Sequence, residues 1–299
     1  MTEVARLFDL NVQAWLQGPA LLAALGGFGL LVGVLTGLFG VGGGFMVVPL
    51  LHVAFGIPYP WAVGSSLAFT IGTGASGASR HWRLRNVEVR AAAVMGAAAF
   101  VGAMGGAAIL GRLHRAIGRG GAERFNLLMD GLFIVLLCVT ACLVWRGSDR
   151  PRTGASPLQR LALPPYVALP AANLARVSAP GLLLVGLGVG VLTGLLGIGG
   201  GVLFVPLLIL VVGLGPHQAV GTSLGVVLLG SIAGTIKHGA MGHVSLPVAM
   251  ALLAGSVFGV QIGAWVCQKL HAGRLRRWFA LLVIAVAAVL VVSFVRKLL

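Results

Sequence analysis

The sequence predicts an all-α polytopic membrane protein made of two homologous halves, each with four to five transmembrane segments and with short or broken helices after glycine-rich motifs. Three observations carry this. The 299 residues are 58% hydrophobic and 9% charged, with a mean hydropathy of +1.03, whereas an ordinary soluble domain is about 25% charged. Apolar windows near the ~20 residues that cross a bilayer as a helix recur along the whole chain. Residues 34–114 also overlay 191–271 without a gap at an offset of 157 positions. Alternating strands of roughly ten residues, the mark of a membrane barrel, are missing, so the spans are expected to be helical.

Residues 1–20 contain Glu3 and Asp9 and lack the positive start of a secretory signal, so the first apolar window, 21–39, is expected to stay as a span. It runs into GLFGVGGGFMVVP, residues 37–49, where five of thirteen residues are glycine and the last is proline. That composition weakens a helix, and a short apolar window, 44–56, follows it. Windows at 62–79, 91–110 and 125–145 complete the first half. A linker rich in Arg and Pro, RGSDRPRTGASPLQRLALPP and beyond, comes next. The second half repeats the order with windows at 182–197, 202–214, 219–236, 246–266 and 277–295, and its break reads GLLGIGGGVLFVP, residues 194–206. The division is 1–147 for the first repeat, 148–180 for the linker and 181–299 for the second repeat.

Duplicated halves of this kind are characteristic of secondary transporters, related either by inversion or by an axis along the membrane normal. Five crossings per half give inversion, and four give parallel repeats. Lys and Arg number four in 80–90, five in 146–176 and four in 269–277, so inversion puts 13 on one side against 7 on the other. The parallel arrangement gives 12 against 8, so the positive-inside rule favours inverted repeats. The net charge of +15 thus reads as topology and anionic-lipid contact, not as nucleic-acid binding. A helical multi-pass protein of this type belongs in a bacterial cytoplasmic membrane.

A helix broken inside a membrane exposes backbone groups that cost several kcal/mol unless something satisfies them. The start of a half-helix directs free N–H groups and the positive end of the helix dipole at one point, which suits an anion. The amides of Gly42, Gly43 and Gly44, and of Gly199, Gly200 and Gly201, are therefore candidate substrate ligands, with close helix packing as the competing role for these glycines. Ser65 and Ser66, matched by Thr222 and Ser223, can donate to an oxyanion or cap a helix. Arg80 and His81, matched by Lys237 and His238, close the same helix in each half; they can attract an anion or simply snorkel at the interface. His52 and His217 have no matched counterpart and no assigned role.

All six acidic residues lie before residue 150, and only Asp130 approaches a predicted span, where it either pairs with Arg124 near the interface or serves a coupling role. The substrate is accordingly read as an anion, and no cation site is required. Cys138, Cys142 and Cys267 have no metal or disulfide spacing. No H-E-x-x-H or G-x-x-x-x-G-K-[ST] motif occurs, so no catalytic residue, metal or cofactor is assigned. Homo-oligomerisation is left open, and the expected partners are a small anionic substrate and the lipid bilayer.

VLTGLFGVGGGFMVVPLL against VLTGLLGIGGGVLFVPLL, AVGSSL against AVGTSL, and the placing of His81 and His238 resemble the sulfite exporter TauE/SafE family, also called the toluene sulfonate uptake permease family. The resemblance covers essentially both halves. It implies a membrane transporter for sulfite, thiosulfate, sulfonates or other small organic acids, in either direction, with the glycine clusters and Ser/Thr pairs lining the anion path. After His81 the chain reads WRLRNV, where the family pattern has a shorter, more glycine-containing turn, so no role is carried over to Arg83 and Arg85.

Overall fold

A computed structural model describes residues 19–117, 121–147, 156–161 and 163–298. The first half contains α1 (Pro19–Phe39), α2 (Gly44–Val53), α3 (Tyr59–Arg83), α4 (Val89–Ile117) and α5 (Ala122–Gly147). The second contains α7 (Ala179–Leu196), α8 (Gly201–Leu207), α9 (Pro216–Ala240), α10 (Leu246–Lys269) and α11 (Ala272–Leu298). Between them the linker folds into a short helix α6 (Pro157–Arg160) and an antiparallel hairpin of β1 (Tyr166–Leu169) and β2 (Leu174–Ser178), which the apolar windows do not foreshadow.

Each predicted window corresponds to one helix, extended by a few residues wherever a turn residue precedes it. Pro58 and Gly215 stand at the N-caps of α3 and α9 and set where these helices begin, with Pro in the first turn of each. α8 runs on through one π turn, Leu208–Val212, and stops at Gly213, which adopts φ 96°. Six described helices, α4, α5, α7, α9, α10 and α11, are long and apolar enough to cross a membrane. α3 has the length at 25 residues but carries many Ser, Thr and Gly residues, of which Ser65, Ser66, Thr70 and Thr73 are buried.

The halves interlock. α1 lies along α10 with Gly29, Gly33 and Gly37 pressed onto the backbone at Leu252, Ser256 and Val260, so a Cβ at any of the three would overlap a carbonyl oxygen. α7 lies along α4 in the same way, through Gly186, Gly190 and Gly194 on Met95, Ala99 and Ala103. Small residues four apart form a groove that lets two backbones meet. At the centre α3 packs against its counterpart α9 with Gly77 beside Leu224, Gly74 beside Leu228 and Leu67 beside Gly234. As one number rises the other falls, so these equivalent helices run antiparallel.

Candidate functional site: two glycine breaks that face each other

α1 ends when the Gly40 amide bonds to the Thr36 carbonyl at 2.8 Å, and the chain then turns through three left-handed residues: Gly40 at φ 72°, Gly42 at 77° and Gly43 at 85°. Only glycine adopts this run without strain. α2 begins at once, with Met46 and Val47 bonding back to the Gly43 carbonyl at 3.0 and 3.2 Å. The second half repeats the geometry at Gly197, Gly199 and Gly200, with φ of 69°, 68° and 79°, before α8 starts at Gly201.

The two breaks pack against one another. Gly44 abuts the backbone of Gly197 and Ile198, and Gly201 abuts that of Gly40 and Val41, where an added Cβ would come within 2.5 Å of the Gly40 oxygen. Gly42 and Gly199 both sit against Thr70 and Val227, which occupy equivalent positions in the two halves. Among the described residues, the amides of Gly42, Gly43, Gly199 and Gly200 make no backbone hydrogen bond outside the regular helices. Successive amides in left-handed turns form a concavity suited to anions, and the starts of α2 and α8 add the positive ends of their dipoles. Residues 36–45 and 196–206 are all buried, so the structure holds this centre closed.

The hydroxyls divide into two matched pairs. Ser66 donates to the Gly197 carbonyl at 2.8 Å and Ser223 to the Gly40 carbonyl at 2.7 Å, so each satisfies an orphan carbonyl of the other half's break. Ser65 accepts the Ser245 amide at 2.8 Å and Thr222 accepts the Glu88 amide at 2.9 Å, clipping the starts of α10 and α4. All four are thus partnered across the repeat boundary. Residues 221–225, GTSLG, match the G-x-S-x-G pattern of hydrolases, but the motif lies within α9, Ser223 is buried there, and no acidic residue follows in the chain.

His81 and His238 do not gather at the centre. Each imidazole donates from Nε2 to a carbonyl one turn before a break, Gly37 at 3.0 Å and Gly194 at 2.9 Å, and so anchors the ends of α1 and α7. Because α3 and α9 are antiparallel, Arg80 with His81 and Lys237 with His238 lie at opposite ends of the bundle. His217 donates to the carbonyls of Cys267 and Leu270 at the end of α10.

Three features escaped the sequence. Asp130 is not an interfacial partner of Arg124: it is fully buried, it accepts the Tyr59 hydroxyl, and Arg124 is exposed. Glu88, at 1% exposure, holds the Ala171 amide at the hairpin tip at 2.8 Å. His243 draws together Trp61, His114 and His238, with ring centroids 4.9, 6.1 and 6.1 Å away. No His, Cys, Asp and Glu cluster able to hold a metal occurs among the described residues.

Interlocked apolar helices around paired breaks describe a polytopic membrane protein. The chain belongs to the sulfite exporter TauE/SafE family, whose sequence profile matches residues 25–290. It is 29% identical over 255 residues to the probable membrane transporter protein YunE of Bacillus subtilis, covering 81% of this chain and 87% of that one. It is 27% identical to the probable membrane transporter protein MJ0441 of Methanocaldococcus jannaschii, over 83% and 87% of the two chains. A probable membrane transporter protein of Haemophilus influenzae is 27% identical over 87% and 94%. No solved structure matches.

Proposed function

We propose that the protein is a secondary transporter that moves a small sulfur-containing anion, such as sulfite, thiosulfate or an organosulfonate, or a similar organic anion, across the cytoplasmic membrane by alternating access. Residues 1–147 and 181–299 act as inverted repeats that rock about the α3–α9 contact, with 148–180 as their connection. The carrying observation is the meeting of two glycine breaks whose amides have no backbone partner, at the contact between the repeats. Gly42 to Gly44 and Gly199 to Gly201 bind the anion through main-chain N–H groups. Ser66, Ser223, Ser65 and Thr222 hold the two breaks and their neighbouring helices in register, and Arg80 and Lys237 draw the anion toward the two mouths. The burial of both breaks favours a carrier over an anion channel, because a channel needs a continuous path. A potential negative inside drives a monoanion that moves alone outward by about 2.3 kcal/mol per 100 mV, which favours export in the absence of a coupled ion.

The test is flux of sulfite, thiosulfate, sulfate, sulfonates and small carboxylates into liposomes containing the purified chain, at set voltage and pH gradient. Gly43→Ala and Gly200→Ala are each expected to reduce flux strongly. Normal flux and affinity in both would leave the glycines a packing role alone, and no flux in the wild type would point to a subunit of a larger assembly.

A further inference from the structure

The polar corner at the far end of α2 has no counterpart in the second half. His52, near the C-terminal end of α2, stacks on Tyr59 at the start of α3 with ring centroids 4.1 Å apart, and donates from Nδ1 to the Ile57 carbonyl at 2.9 Å. The Tyr59 hydroxyl in turn donates to the Asp130 carboxylate on α5, and Tyr59 and Asp130 are both wholly buried. Asp130 lies about 10 Å along α5 from Glu123, well inside an apolar span. At the equivalent positions the second half has Ile209 for His52 and Pro216 for Tyr59, and with Leu275 and Phe279 these line an apolar cavity. The fold therefore builds this corner without polar groups when nothing else is required of it. A carboxylate held at bilayer depth is costly and marks an ion or proton path.

Resting on the transport reading above, we propose that Asp130, with Tyr59 and His52, is a proton-binding site that couples each anion to one proton. α2 is the link. Its first turn forms half of the anion centre at Gly44, and its last turns carry His52 onto Tyr59 about 12 Å further along. Displacement of α2 as the anion enters or leaves alters the packing of Tyr59 against Asp130. The carboxylate takes a proton from water on one side, becomes the neutral acid, and returns the proton on the other. A monoanion moved with one proton carries no net charge, so the pH gradient, not the voltage, sets its direction, and uptake becomes accessible. The second half has no acidic residue and so no counterpart of this carboxylate.

Among the described residues, the elements packed around Asp130 carry few other titratable groups. α2 offers only His52, and α3 offers only Tyr59 before Arg80 at its far end. α4 brings Arg112, His114 and Arg115 at its last turns, with the His114 ring 5.1 Å from Phe125 of α5 and beside His243. α5 itself has Glu123 and Arg124 in its first turn, α8 has no titratable residue, and α11 has none between Arg277 and Arg296.

The experiment uses the full chain in liposomes with an internal pH indicator and sulfite or thiosulfate as solute. Wild-type protein is expected to move protons with the anion and to accumulate it under a pH gradient at zero voltage. Asp130→Asn should lose both while still exchanging anion for anion, and that exchange reports correct folding. Should Asp130→Asn fail to exchange, Tyr59→Phe carries the test through a shifted pH midpoint of uptake. Proton movement persisting in Asp130→Asn, an unshifted pH profile in Tyr59→Phe, or wild-type anion flux without protons would overturn the proposal. Absence of any wild-type flux would instead overturn the transport reading on which it rests.

Discussion

Ser66 and Gly197 are joined across the repeat boundary by a hydrogen bond of 2.8 Å, and the equivalent pair, Ser223 and Gly40, by one of 2.7 Å. Each carbonyl belongs to a helix break and is far from water, so removing its donor leaves a buried acceptor unpaired. Ser66→Ala and Ser223→Ala are each expected to lower stability by about 1–3 kcal/mol. Ser79→Ala, on an exposed face of α3, should stay within about 0.5 kcal/mol of the wild type. Melting in detergent checks both, and equal stability of the three variants would deny the cross-repeat bond its role.

Gly44 and Gly201 test the closeness of the two breaks. A methyl group at either position would run into the opposite break's backbone, which cannot swing aside as a flexible side chain can. Gly44→Ala and Gly201→Ala should each destabilise by about 1–3 kcal/mol or more, and reduce the yield of folded protein. Gly131→Ala, in α5 with nothing within 4 Å of its Cβ position, should instead gain up to about 1 kcal/mol from helix propensity.

Much of this was legible in the chain. The breaks could be placed because three glycines in a row inside an apolar window have few other uses, and their repetition 157 residues later pointed to one shared centre. Ser66 and Ser223 were found for the same reason, though their partners were not: Gly197 is 131 residues from Ser66, and periodicity carries no information across such a distance. The contact of Asp130 with Tyr59 is not legible because the two lie 71 residues apart, whereas local spacing brings up Arg124. Loop charge gave only a weak vote on the sense of the repeats, whereas the antiparallel α3–α9 contact rests on side-chain pairs such as Leu67 with Gly234 that no composition encodes. The linker hairpin was hidden because its strands are only four and five residues long and are flanked by proline.

That hairpin docks on one helix from each half. Ala171 donates its amide to Glu88 before α4 and accepts from the Gln218 side chain in the first turn of α9, while Arg90 donates to the Ala168 carbonyl at 3.1 Å. Glu88→Ala removes a buried charge-assisted bond and should weaken docking by about 1.5–3 kcal/mol. Faster amide hydrogen exchange across residues 166–178, with α4 and α9 unchanged, is the expected signature. Unaltered exchange in the hairpin would show that other contacts hold it.

Acid sensitivity should trace in part to His243, in the turn between α9 and α10. Burial, and then the neighbouring His238 and His114, push its pKa from the ordinary 6.5 down to about 4. The unfolded chain therefore binds this proton more readily than the folded one. The folded state's advantage is whole above pH 6.5 and declines as the pH falls from 6.5 toward 4, below which this residue adds no further slope. His243→Asn puts the residue found at the equivalent Asn86 into the turn and removes the titration. Melting temperature measured in detergent across pH 4–7 should fall less steeply on acidification in the variant than in the wild type. Curves that fall in parallel would place the acid sensitivity elsewhere.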